Sequence, residues 1–147
     1  ALETLRDLAR GIYPPLLADR GLVAALESQA RKASLPVQVE ADGVGRYPQE
    51  VEAAVYFCCL EALQNVQKYA AAQSAVVKLD GADGGLTFEV TDDGQGFDGA
   101  SVKRGAGLTN MTDRIDALGG RLEVSSTPGR GTCVHGFLPA LVAGARA

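Results

Sequence analysis

Three polar side chains in one predicted helix have the types and spacing to act together on a ligand. In the segment EALQNVQKYA, Glu61, Asn65 and Lys68 stand at positions i, i+4 and i+7. On an α-helix these positions form one stripe about 60° wide. The preceding run, AAVYFCCL, is apolar almost all round and predicts a buried central helix. The stripe that continues this buried helix carries a carboxylate, an amide and an ammonium group, and this combination predicts a polar site. Many solvent-exposed helix faces show the same pattern.

A second candidate site follows the predicted strand LTFEV. Asp92, Gly94 and Gly96 form the pattern D-x-G-x-G. Glycine lets the backbone approach a ligand closely, and a carboxylate at a strand end can accept a hydrogen bond from an exocyclic amine. An ordinary Asp-Gly turn has the same residues. The overlapping run GQGFDG matches G-x-G-x-x-G, but a polar loop follows it where the dinucleotide motif requires a helix and a parallel strand.

Two more glycine-rich segments follow. Gly105 and Gly107 precede a helix predicted over residues 108–118, and the free amides at such a helix start can bind phosphate. Lys103-Arg104 adds positive charge there. The same residues also fit a flexible loop before a helix, without any ligand. The segment PGRGT, which ends at Thr132, is by itself a hairpin turn.

The hydrophobic periodicity predicts the elements that must position these residues. Their order is ααβαββ-loop-αββ, with the longest helix over residues 48–71. A first helix over residues 2–12 ends at Tyr13-Pro14-Pro15, because proline disfavours a helical conformation in the residue before it. Two hairpins are expected, one around GADGG and one around PGRG. The sequence therefore predicts a two-layer α/β sandwich with a mixed, largely antiparallel sheet packed under helices.

Composition excludes several classes of function. The chain has 147 residues and a formal net charge of −4, which fits one globular domain and not a general nucleic-acid binder. The three cysteines form no C-x-x-C pair, so we interpret them as reduced packing residues. The chain has a single histidine, His135, which excludes a histidine-rich metal site and a Ser-His-Asp triad near the usual spacings. Alternation places it on a predicted strand.

In this order and at these separations, the four segments resemble the N, G1, G2 and G3 boxes of the Bergerat-type ATP-binding fold. Gyrases, heat-shock chaperones, mismatch-repair proteins and sensor histidine kinases share this fold. The resemblance covers about residues 20–139. EALQNVQKYA is similar to the N box of histidine kinases, and the short loop between Gly96 and Gly105 resembles the two-component kinases with a compact ATP lid. The segment LRDLARGIYPPLLADRGLVAAL resembles the entry from a dimerisation helix into their catalytic domain.

The resemblance implies ATP and Mg²⁺ as cofactors and a role for each site residue. Glu61 would be the catalytic carboxylate beside the γ-phosphate, and Asn65 would hold Mg²⁺ through its carbonyl oxygen. Asp92 would accept a hydrogen bond from the adenine amine. The other implied nucleotide-binding residues are Lys68 and Tyr69 on the helix, Gly94 and Gly96 at the base, Gly105, Gly107 and Leu108 at the phosphates, and Thr132 near the adenine.

The resemblance also implies a domain organisation and partners. Residues 1–15 are expected to be the end of a truncated dimerisation helix, residues 16–140 the catalytic domain, and residues 141–147 a frayed tail. Such kinases phosphorylate a histidine on a helix, so a strand residue such as His135 is not the acceptor. The implied partners are ATP, a dimerisation domain that carries the acceptor, a response regulator and, for a full-length protein, a second copy. The domain would be cytoplasmic, with or without a membrane anchor.

Two alternatives remain. An anti-sigma-factor-type Ser/Thr kinase shares the fold, but that group lacks the helical lead-in seen here. A nucleotide-binding module without catalysis is disfavoured by the joint presence of Glu61, Asn65 and Asp92.

Overall fold

The computed structural model describes residues 14–69, 73–81, 85–94, 106–126 and 131–139, with the backbone alone at 67–69 and 106–109. Its elements follow the predicted order, apart from one additional helix near the N-terminus. In chain order they are α1 (Pro15–Arg20), α2 (Leu22–Lys32), β1 (Val37–Asp42), α3 (Gln49–Tyr69), β2 (Ala75–Asp80), β3 (Gly85–Asp92), α4 (Ala106–Ala117), β4 (Arg121–Ser126) and β5 (Thr132–Pro139).

Helix α1 is the addition. The sequence analysis treated Pro14-Pro15 only as the end of a helix over residues 2–12, a stretch that lies outside the described residues. Pro15 instead begins a helix, because the first helical position needs no backbone donor and favours the fixed φ of proline. Gly21 ends the helix at φ 89°, and its N–H donates to the carbonyl oxygen of Leu17 at 3.0 Å.

The five described strands form one mixed sheet in the order β1-β2-β3-β5-β4. Strand β1 runs parallel to β2, and every other neighbouring pair is antiparallel. In the register, Val77 of β2 stands opposite Val90 of β3, which stands opposite Val134 of β5. Both predicted hairpins and the largely antiparallel character of the sheet are therefore confirmed.

Helix α3 lies at the centre of the helical layer, as its apolar sequence predicts. Every residue from 51 to 60 is buried, and the helix packs against α2, α4 and strands β2 and β3. Strand β3 buries Leu86, Phe88 and Val90 at alternate positions, so these side chains point from the sheet towards the helices. The same alternation places Asp92, the last residue of β3, on the helical side.

Glu52 is a carboxylate buried on α3, and it joins two distant parts of the chain. Its Oε2 accepts hydrogen bonds from Arg46 Nε at 3.0 Å and from the backbone N–H of Tyr47 at 3.1 Å. Its Oε1 accepts from Arg46 Nη2 at 3.2 Å, and the same Nη2 donates to the carbonyl oxygen of Ala18 at 3.0 Å. The ion pair between Arg46 and Glu52 therefore links the C-terminal end of α1 to the first turns of α3.

The cysteines and the histidine lie where the sequence analysis expected them. Cys58 and Cys59 are buried free thiols of α3, and burial raises the pKa of Cys58 to about 12. Cys133 is free and half-buried on β5. His135 is a half-buried residue of the same strand, opposite Glu89 and Glu123 in the register. Among the described residues, no helix combines the length and apolarity that crossing a bilayer requires.

Candidate functional site

Asp92 is a buried carboxylate at the carboxyl end of β3. It is 6% exposed, and its Oδ1 accepts the backbone N–H of Gly94 at 2.8 Å, which closes a tight turn. Within the part of the chain that the structure describes, no donor reaches its Oδ2. A buried carboxylate with a remaining acceptor oxygen is suited to hold an N–H donor of a ligand.

The turn after Asp92 is anchored on one side by the next residue, Asp93. Asp93 Oδ1 accepts the backbone N–H groups of Gln73 at 2.8 Å and Ser74 at 3.0 Å, and its Oδ2 lies 3.0 Å from Ser74 Oγ. These hydrogen bonds hold the pKa of Asp93 below its ordinary value of 3.8. The two adjacent aspartates therefore point in different directions, one towards the helices and one towards the segment before β2.

Gly131 supports the same turn from the other side. It has φ 82°, and a Cβ built there would collide with the carbonyl oxygen of Asp92 and lie 3.3 Å from Cα of Asp93. Ser126 Oγ donates to the carbonyl oxygen of Gly131 at 3.0 Å and lies 3.0 Å from Oγ1 of Thr132. The hydroxyl of Thr132 thus lies beside Ser126, and Gly131 packs against the backbone of Asp92.

We expect Gly131→Ala to destabilise the fold more than Gly43→Ala does. Gly43 also has a positive φ, 65°, but a Cβ there meets nothing within 4 Å. Gly43→Ala should therefore lower the free energy of unfolding only by the strain of a left-handed backbone conformation, about 1–2 kcal/mol. Gly131→Ala should cost at least about 1 kcal/mol more, because the new methyl group overpacks against the Asp92 backbone. Urea unfolding of both variants measures the difference, and equal free energies of unfolding would contradict the tight contact.

Helix α3 carries the polar stripe. Glu61 is half-buried and Asn65 is exposed, one turn further along the helix. Lys68 and Tyr69 continue the helix to its end, while their side chains lie outside the described part. The stripe therefore begins where the fully buried stretch of α3, residues 51–60, ends.

Helix α4 begins earlier than predicted, at Ala106 instead of Leu108. Gly107 and Leu108 thus belong to its first turn, whose N–H groups have no acceptor within the helix. The predicted site residues Gly96 and Gly105 lie outside the described residues.

Helix α4 packs on α3 beside the polar stripe. Cys58 Sγ lies 3.9 Å from the carbonyl oxygen of Met111, and the guanidinium carbon of Arg114 lies 4.2 Å from the ring centroid of Phe57. Phe57 precedes Glu61 by one helical turn. The helix that offers free amides is therefore in contact with the helix that carries the carboxylate and the amide.

These features together define a class of protein: a nucleotide-binding α/β sandwich. A buried carboxylate lies at the end of a strand, a helix start with unpaired N–H groups lies on α4, and a carboxylate and an amide lie on one stripe of α3. The profile of the family described as "Histidine kinase-, DNA gyrase B-, and HSP90-like ATPase" matches residues 50–142. The chain belongs to this family, and its ATP-binding fold confirms the expectation from the sequence.

The relatives of this chain include histidine kinases. Sensor histidine kinase MctS of Rhizobium johnstonii is 32% identical over 148 residues, covering 95% of this chain and 32% of that protein. The histidine-protein kinase/phosphatase DegS of Brevibacillus brevis is 30% identical, over 95% of this chain and 41% of that protein. The chain therefore spans between about a third and two-fifths of the length of these two relatives.

A solved structure has the same fold. The histidine kinase domain of the Erythrobacter litoralis EL346 blue-light activated histidine kinase superposes with a TM-score of 0.62 at 26% identity. The match covers 80% of this chain and 57% of that one.

Sequence reasoning missed three residues that shape the site or its frame. Asp93 was passed over in favour of its neighbour, although an aspartate before glycine in a turn is a common acceptor for backbone N–H groups. Gly131 was assigned only to a hairpin turn. Glu52 could have been noticed, since a carboxylate on the apolar side of a buried helix requires a partner.

Proposed function

We propose that this chain is the ATP-binding catalytic domain of a sensor histidine kinase and donates the γ-phosphate of ATP to a histidine outside the chain. Asp92 carries the proposal. It is a buried carboxylate with one oxygen engaged by Gly94, at the end of a strand that faces the helical layer. Such a group can accept a hydrogen bond from the exocyclic amine of adenine. Guanine has a carbonyl oxygen at the same position, which cannot donate one.

The residues of α3 would act on the phosphates. Asn65 offers an exposed amide oxygen, a ligand that suits Mg²⁺ because this ion keeps most of its positions for water and phosphate. Bound Mg²⁺ would neutralise phosphate charge. Lys68 and Tyr69 would contact the nucleotide from the same helix end. The remaining nucleotide contacts that we propose come from Gly94, Gly96, Gly105, Gly107, Leu108 and Thr132.

Glu61 would serve the chemistry. In the transfer, the bond from the γ-phosphorus to the β,γ-bridging oxygen breaks, and a bond from phosphorus to the acceptor imidazole nitrogen forms. A carboxylate beside the incoming imidazole can orient it and accept its proton. Glu61 is half-buried, which lets it meet the nucleophile while limiting its hydration.

The proposal extends to the organisation of the parent protein. Residues 16–140 would form the catalytic domain, preceded by the end of a dimerisation helix and followed by a tail. The partners would be a dimerisation domain that carries the acceptor histidine, a response regulator and, through that dimerisation domain, a second copy. The domain would work in the cytoplasm.

Calorimetric titration with a non-hydrolysable ATP analogue and Mg²⁺ tests the proposal. We expect binding at micromolar or weaker affinity, because a site built largely from loops and backbone amides must be ordered on binding. Asp92→Asn should weaken the affinity about 10- to 100-fold, the usual effect of losing a hydrogen bond to a charged group. Asp42→Asn, which changes an exposed aspartate at the end of β1, serves as the matched control. Absence of binding at millimolar analogue, or an unchanged affinity in Asp92→Asn, would refute the proposal.

A further inference from the structure

Asp93 is an exposed residue whose carboxylate is fully engaged by the protein. Both of its oxygens accept hydrogen bonds, from two backbone N–H groups and from one hydroxyl of the segment Gln73–Ser74. Its own N–H also faces the carbonyl oxygen of Ser74 at 3.4 Å. Three hydrogen bonds to one carboxylate fix its position, and with it the position of the Asp93 backbone.

The backbone that Asp93 fixes is that of the turn formed by Asp92. The turn consists of Asp92, Asp93 and Gly94, and it is closed by the hydrogen bond from Gly94 to Asp92 Oδ1. Gly131 prevents the turn from moving away on one side, since its α-carbon lies against the Asp92 carbonyl group. On the other side, Asp93 links the turn to Ser74, which precedes β2. Asp92 therefore owes its orientation to a turn that is held from both sides.

We propose that Asp93 is a positioning residue for recognition of the adenine base. By anchoring the turn to Ser74, it keeps Asp92 Oδ2 in the place where the exocyclic amine of the base arrives. Ser74 immediately precedes β2, so the same contact ties the turn that carries the base-recognising carboxylate to the neighbouring strand. The inference rests on the proposed function, since it assumes that Asp92 accepts the adenine amine.

A purely structural role for Asp93 predicts a different outcome. If Asp93 only stabilises the fold, its loss would lower the folded fraction of the protein. The apparent affinity for every nucleotide would then fall by the same factor. Loss of a positioning contact should weaken only the interaction of Asp92 with the amine. The ratio of affinities for ATP and for purine riboside triphosphate, which lacks only that amine, distinguishes the two roles.

The experiment measures both affinities for the 147-residue chain, its Asp93→Ala, Asp93→Asn and Ser74→Ala variants, and Asp42→Ala as the matched control. Asp93→Ala should lower the affinity for ATP about tenfold, the effect of one weakened hydrogen bond to a charged group, with less than about twofold change for purine riboside triphosphate. The ATP affinity of Asp93→Asn should lie nearer to that of the wild type, because its amide oxygen can still accept hydrogen bonds from both backbone N–H groups. Ser74→Ala, which removes only the hydroxyl, should have a smaller effect in the same direction.

The outcomes separate the inference from the proposed function. A wild-type chain that shows no preference for ATP over purine riboside triphosphate refutes the role of Asp92 and the inference with it. A wild-type preference that Asp93→Ala retains, or loses no more than Asp42→Ala does, refutes the inference alone. Circular dichroism and urea unfolding establish that each variant is folded at the temperature of the titration. If Asp93→Ala fails to fold, the inference is tested with Asp93→Asn and Ser74→Ala. A selective loss of ATP affinity in these variants supports it, and an unchanged preference for ATP refutes it.

Discussion

Glu61→Gln is expected to slow phosphoryl transfer to a supplied histidine-bearing dimerisation domain by about 10²–10⁴-fold, the usual contribution of a general base. The substitution keeps the size of the side chain and removes its ability to accept a proton. Affinity for ATP should change little, because Glu61 would act on the nucleophile and not on the base or the ribose. Such a loss of rate at constant affinity is typical of an interaction made in the transition state.

The measurement is transfer of label from γ-labelled ATP to the dimerisation domain in trans, with the affinity for ATP titrated separately. Glu50→Gln changes an exposed glutamate of the same helix and should leave the rate unchanged. The chain alone should not become labelled, since His135 is a strand residue. Strong labelling of the chain alone that survives His135→Ala would overturn the histidine kinase proposal and favour the Ser/Thr kinase alternative.

Glu52→Ala is expected to lower the free energy of unfolding by about 1–3 kcal/mol, the cost of leaving a buried hydrogen-bonding group without its partner. The change leaves the buried N–H of Tyr47 without its acceptor and removes the side chain that holds Arg46 against the end of α1. It also leaves a cavity between α1 and α3. The loss is large relative to a typical total stability of about 5–15 kcal/mol.

Urea unfolding followed by circular dichroism measures this effect. Glu52→Gln should cost less than Glu52→Ala, because its amide oxygen can still accept the N–H of Tyr47. Glu50→Ala, two residues earlier on the same helix and exposed, should cost less than about 1 kcal/mol. A cost of Glu52→Ala no greater than that of Glu50→Ala would show that the pair contributes nothing to stability.

Most of the elements could be predicted because their signals are local. The alternating β2 and β3 sequences and the apolar run of α3 each depend on residues that are neighbours in the chain. The choice of Asp92 rested likewise on a short pattern at a strand end. Where a local signal has two meanings, the prediction was incomplete: Pro15 was considered only at the end of the helix predicted over residues 2–12, and it also begins α1.

The contacts that hold the site could not be predicted, because they join residues far apart in the sequence. Asp93 and Ser74 are 19 residues apart, and Arg46 and Ala18 are 28 apart. Gly131 meets Asp92 only because β5 pairs with β3 in a particular register. Nothing in the local pattern of PGRGT distinguishes a free hairpin turn from one that packs against a carboxylate.

The sequence by itself determined the fold class, the buried character of α3 and the residues that carry acid, amide and glycine in the order of an ATP-binding site. These depend on hydrophobic periodicity and on short motifs, which act through neighbouring residues. Only the tertiary structure decided how Asp92 is held, that Arg46 is the partner of the buried Glu52, and that α4 packs on α3 one turn before Glu61. The physical reason is that sheet order and register bring distant backbone groups together, and the free energy of such contacts depends on the whole packed core.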